Sequence, residues 1–119
     1  MSDRPMVVVG AGPAGLMTAW RLAKNGCKVA IYEQNKTAAR KFLVAGHGGF
    51  NLTHGEDIAS FVEKYDKSEI QEIVRYFDNQ ALITWLDDLG VPTYVGSSGK
   101  IFPKRGIKPI QVLQAILKA

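Results

Sequence analysis

Val7-Val8-Val9-Gly10-Ala11-Gly12-Pro13-Ala14-Gly15, near the start of a 119-residue chain, joins a β-branched run to a helical pattern through glycine. The spacing is G-x-G-x-x-G, and a dinucleotide fingerprint needs this context, with a strand before the turn and a helix after it. Each glycine has a separate task. Gly10 permits the tight turn out of the strand, Gly12 lets a pyrophosphate approach the backbone without a Cβ in the way, and Gly15 lets the helix lie close to the sheet. Pro13 sits where its missing N–H has no intrahelical use. The first-turn N–H groups and the positive end of the helix dipole then face an anion.

The pattern continues past the turn. The spacing predicts a strand over Met6–Val9 and a helix over residues 13–25, closed by Gly26, whose packed face is Gly15, Ala19, Leu22 and Ala23. A right-handed crossover then leads to a second, parallel strand over residues 28–32. Glu33 ends that strand, eighteen residues beyond Gly15, near the ~20-residue offset of the acid that binds a ribose diol. The competing reading is a glycine-rich loop followed by a solvated glutamate.

Residues 34–54 carry three basic side chains and no acid. Arg40 and Lys41 are placed to meet phosphates, Arg through a forked contact and Lys as a point charge; ordinary surface charge is the alternative. Part of residues 38–45 reads as a short helix. Gly46, Gly48 and Gly49 then allow a backbone path closed to bulkier residues, suited to a chain passing close to a ligand. His47 and His54 flank this loop, each a candidate hydrogen-bonding, surface or acid–base group.

Residues 55–89 are acidic, with nine acids against three bases. Thr53 and Glu56 have capping-box spacing for one helix, and Ser68 and Gln71 repeat it for a second. A third pattern, Leu82, Ile83, Trp85, Leu86 and Leu89, ends at Gly90 before Val91-Pro92. The aromatic residues of these helices are expected in a core. Thr93-Tyr94-Val95 and Lys100-Ile101-Phe102 flank Gly96-Ser97-Ser98-Gly99 and predict a β-hairpin with a four-residue connection. A phosphate loop there lacks the G-K-[ST] ending. A last helix starts at Pro109.

With 46% hydrophobic residues the chain can bury a core, and its size suits one domain at most. The lone Cys27 has no internal disulfide partner, which accords with a cytoplasmic protein and a structural thiol. The apolar run over residues 6–20 contains Pro13 and is too short to span a bilayer. No basic stripe interleaved with aromatics suggests nucleic acid, and no spacing suggests a metal. The expected fold class is α/β: the N-terminal part of a Rossmann-like, FAD/NAD(P)-binding domain. Its parts are a βαβ unit over residues 1–33, a cofactor-contacting loop over residues 34–54, and a helical region, hairpin and terminal helix over residues 55–119. The pattern ends without the further strands such a domain needs, so the chain is expected to be a fragment of a longer protein, inactive alone.

Gly10-x-Gly12-Pro13-Ala14-Gly15-Leu16-Met17, Glu33, Arg40-Lys41-Phe42-Leu43, Gly46-His47-Gly48-Gly49-Phe50-Asn51-Leu52-Thr53 and Gly96-Ser97-Ser98-Gly99-Lys100-Ile101-Phe102-Pro103 together resemble the BaiN-like, or aminoacetone-oxidase, family of FAD-binding flavoproteins. That family lies in the glutathione-reductase-type, two-dinucleotide-binding superfamily. The resemblance implies FAD at Gly10, Gly12, Pro13, Ala14 and Gly15, with Glu33 on the adenosine ribose. It further implies that Arg40, Lys41, Gly46, Gly48, Gly49, Phe50 and Asn51 run along the cofactor toward the flavin. Where many relatives carry Arg-Cys, this chain has Gly49-Phe50, so a thiol-assisted mechanism there lacks its residue. The implied activity is a flavin-dependent oxidoreductase acting on a small molecule, with NAD(P)H a possible reductant of the longer protein. A non-catalytic module binding NAD or an adenine nucleotide is the alternative.

Overall fold

The computed structural model describes residues 3–44 and 50–119. They form two compact units, one built from the N-terminal part together with residues 109–119, the other from residues 48–108.

In the first unit, β1 (Met6–Val9) pairs in parallel with β2 (Val29–Tyr32), Met6 opposite Val29 and Val9 opposite Tyr32. The crossover between them is α1 (Pro13–Lys24). The glycine turn works as a steric device. Gly10 holds φ at +98°, a region an L side chain rarely enters, and its N–H extends the ladder to the Tyr32 carbonyl at 2.8 Å. A Cβ on Gly15 would collide with the Gly10 carbonyl oxygen and then meet Val8, so the helix can leave the strand at this angle only without one. The buried face of α1 is Leu16 and Ala19. Ala23, expected on that face, is exposed, while Leu22 is half-buried. Cys27 N–H to the Leu22 carbonyl (3.0 Å) and Gly26 N–H to the Ala23 carbonyl (3.0 Å) close α1 in a Schellman motif.

Two further helices complete this unit. α2 (Arg40–Val44) and α6 (Pro109–Lys118) pack together over Ala11, Leu16, Ala39 and Leu113, with Ala38, Phe42, Leu43 and Ile116 around them.

The second unit is a three-stranded antiparallel sheet with three short helices. The strand order is β3 (Thr53–His54), β5 (Lys100–Pro103), β4 (Thr93–Val95), and the expected hairpin is β4–β5, with Val95 opposite Ile101. β3 displaces the expected capping box: Thr53 and His54 both pair in the ladder with β5, so no helical turn follows Thr53 for it to cap. α3 (Ile58–Glu63) starts later, where Asp57 accepts from the Ser60 N–H at 3.1 Å; that bond holds the Asp57 carboxyl below the usual aspartate range. The second box also fails. Ser68 is already inside α4 (Ser68–Tyr76), which has no side-chain cap, and Gln71 donates instead to the Tyr65 carbonyl. α5 (Asn79–Asp88) is capped by Asp78, which accepts from the Ala81 N–H at 2.9 Å.

Of the aromatics expected inside, Trp85 is buried and Tyr76 is 85% exposed. Asn79 is buried and donates to the His54 and Glu56 carbonyls at 2.8 and 2.7 Å, tying α5 to the turn after β3.

Candidate nucleotide-binding site

The first unit contains an open cleft of about 360 Å³, lined among others by Gly12, Pro13, Glu33, Arg40, Lys41 and Phe42. Five residues assigned to a cofactor, Gly12, Pro13, Glu33, Arg40 and Lys41, therefore line one cavity. Gly10, Ala14 and Gly15 form the turn and the first turn of α1 beside it. Gly12 differs from Gly15: a Cβ added to it would meet nothing within 4 Å, and its φ of −79° suits any residue. No internal packing requires glycine there, and the space a methyl would take is the space a ligand would use.

Glu33 is held from two sides. The Ala11 N–H donates to Oε1 at 3.0 Å and the Asn35 N–H to Oε2 at 2.9 Å. These bonds, Ala11 first, hold the carboxyl below the ordinary glutamate range, because both N–H groups favour the charged form. An ionised carboxylate has about four lone-pair positions. Two donors therefore leave room for both hydroxyls of a ribose diol.

The same residue, Ala11, anchors the other wall. Its carbonyl accepts from the Ala39 N–H at 2.6 Å. Ala39 precedes Arg40 and Lys41, which make no ion pair among the described residues. The cleft thus presents one fixed carboxylate and two cations around an open glycine turn at the N-terminus of a twelve-residue helix, an arrangement suited to a ribose next to a diphosphate.

Residues 4–119 match the model of the HI0933-like protein Rossmann domain. The chain belongs to that family. Proteins named for different activities are similar to this HI0933-like domain. It is 27% identical over 104 residues to a ribosomal RNA dihydrouridine synthase of Haemophilus influenzae, covering 87% of this chain and 26% of that protein. It is 27% identical over 109 residues to a thiamine thiazole synthase of Pyrococcus abyssi, covering 92% of this chain and 39% of that one. A putrescine oxidase of Kocuria rosea is 32% identical over 93 residues, covering 77% of this chain and 16% of the oxidase. The HI0933-like domain here thus spans from under a fifth to about two fifths of these relatives' lengths.

Gly46, His47, Gly48 and Gly49 lie outside the described residues. Phe50 and Asn51 belong to the second unit, where Asn51 Nδ2 donates to the carbonyls of Thr53 and Ile101 at 2.7 and 3.0 Å. His54 has a structural role there. Its Nδ1 accepts from the Glu56 N–H at 3.1 Å, which leaves Nε2 to carry the proton and donate to the Ser98 carbonyl at 3.1 Å. The Glu56 carboxylate in turn pairs with Lys64 at 2.6 Å. Among the described residues there is no cluster of three metal-ligating side chains, and no helix is long and apolar enough to cross a membrane. Sequence reasoning missed Ala11, Asn35 and Ala39, since what they contribute is backbone N–H and C=O groups, which residue type does not announce.

Proposed function

We propose that this chain is the FAD-binding portion of a flavin-dependent oxidoreductase of the cytoplasm, close to the BaiN-like, or aminoacetone-oxidase, branch. The observation that carries the reading is the open space at Gly12 beside a Glu33 carboxylate already fixed by the Ala11 N–H. In this reading Glu33 accepts the ribose hydroxyls, the turn from Gly10 to Gly15 receives the pyrophosphate, and Arg40 and Lys41 neutralise its charge. FAD, when bound, supplies hydride and electron transfer, and the protein binds and orients it.

The relatives support assigning the cofactor, rather than the substrate, to this segment. Their names point to ribosomal RNA, a thiazole and putrescine. What each shares with this chain is a stretch of 93 to 109 residues, a minor part of its own length. The substrate is accordingly proposed to be bound by other parts of the protein, with NAD(P)H a candidate reductant.

A second reading, an NAD or adenine-nucleotide module, uses the same turn and Glu33. Flavin absorbance retained through purification of the intact protein, with NAD unable to displace it, supports the first reading. A colourless protein that takes up NAD but not added FAD supports the second and ends the first. A fixed carboxylate at the ribose also predicts rejection of a 2′-phosphate: 2′,5′-ADP should compete far less well than ADP.

A further inference from the structure

We propose that Ala39 is the positioning residue of the nucleotide site: its backbone sets Arg40 and Lys41 against the glycine turn. The proposal rests on the nucleotide reading above. Among the described residues Ala39 is the one non-glycine with positive φ, at +51°, where an L-residue carries steric strain. Such strain persists only where the surroundings hold it, and here they hold it three ways. The Ala39 N–H donates to the Ala11 carbonyl at 2.6 Å, its carbonyl accepts from the Leu43 N–H at 3.0 Å, and its side chain is 5% exposed, packed with Ala11, Leu16 and Leu113.

The partner of that N–H gives the strain its meaning. Ala11 donates to Glu33 with its N–H and accepts from Ala39 with its carbonyl. One residue of the glycine turn therefore fixes both the carboxylate wall and the start of the cationic wall of the cleft. In a left-handed conformation at residue 39, the chain reverses into α2 with residues 39, 40 and 41 all on the cleft lining. In an ordinary right-handed or extended conformation the chain would leave residue 39 in another direction, and Arg40 and Lys41 would lose that placement. Alanine is small enough to be buried there, yet denied most of the conformations open to glycine.

Ala39→Pro removes the N–H and forces φ negative, so it should release the cations without touching them. The test is ADP affinity of the intact protein across ionic strength, for wild type, Ala39→Pro, Arg40→Ala/Lys41→Ala and the triple variant. The expected result is a loss of about tenfold at low salt in Ala39→Pro, on the scale of charge-assisted phosphate contacts. Its salt dependence should flatten to that of the double variant, and the triple variant should lose no more than either. Ala39→Gly keeps the N–H and the positive φ and should bind within about threefold of wild type.

Additive losses, or an unchanged salt dependence in Ala39→Pro, would overturn the proposal while leaving the nucleotide site standing. If Ala39→Pro fails to fold, Ala39→Val, a β-branched residue at positive φ, must reproduce the flattened salt dependence. If that variant also fails to fold, Ala39 serves folding and the proposal is wrong. A wild type that binds neither ADP nor FAD ends the nucleotide reading and the proposal together.

Discussion

Two glycines of one turn, three residues apart, should respond to the same substitution in opposite ways. Gly15→Ala drives a methyl into the Gly10 carbonyl and should lower stability by about 1–3 kcal/mol, the usual range for overpacking; thermal unfolding checks it. Gly12→Ala meets nothing and should leave stability within about 0.5 kcal/mol, while nucleotide affinity falls. Glu33 is tested by pH. Its carboxyl is held below the ordinary glutamate range by the Ala11 and Asn35 N–H groups, so the folded state prefers the ionised form. The resulting contribution is fully present above the ordinary glutamate pKa and is lost as pH falls through the lowered one. Glu33→Gln should bind ADP at least about tenfold more weakly at neutral pH, and the ratio of wild-type to variant affinity, from which the ligand's own phosphate ionisation cancels, should be flat near neutrality and fall in acid. An unchanged affinity in Glu33→Gln would remove the residue from the ribose role.

At the scale of elements, the site depends on a helix, α6, that begins 65 residues after the end of α2. Leu113 of α6 is 3% exposed and packs against Ala11 and Ala39. Leu113→Ala should therefore cost about 2–5 kcal/mol and weaken ADP binding as well, since both anchors of the cleft lose their backing; hydrogen exchange should show the loosening at residues 11 and 39. The sequence made the local part of this fold legible. β1, α1 and β2 follow from the valine run, the glycine spacing and the β-branched pattern before Glu33, and the β4–β5 hairpin from two short strands around Gly96 and Gly99. Pairing between distant segments was not legible. Thr53 offered a helix cap by its type and spacing, but β5, almost fifty residues later, takes its backbone into a sheet. Ala39 gave no signal at all, because alanine is a strong helix former and nothing in its type marks a left-handed turn.

For the molecule as a whole, the two units place different parts of the sequence reading. The fingerprint, Glu33, Arg40 and Lys41 belong to one, and Phe50, Asn51 and His54 to the other. The segregated charge follows the same division in part, since the nine acids of residues 55–89 all fall in the second unit, leaving the cleft-bearing unit with a basic excess that favours an anionic ligand. The parallel pair keeps an apolar face, Val7 at 59%, Val9 at 85% and Tyr32 at 64% exposed, whereas parallel sheets are ordinarily covered on both faces. That contrast accords with a chain that spans under two fifths of its relatives' length. Surface exposure of this kind also separates stability from burial: Val9→Thr should change the unfolding free energy by less than about 0.5 kcal/mol.

The central claim is a dinucleotide seated at the Gly12 opening beside Glu33. Titration of the intact protein with FAD, followed by flavin fluorescence and repeated with Gly12→Ala, tests it most directly. The account predicts saturable binding that ADP displaces, and a marked loss of affinity in Gly12→Ala with its unfolding temperature unchanged. Wild type and Gly12→Ala binding FAD equally well, or neither binding FAD or ADP, would contradict it.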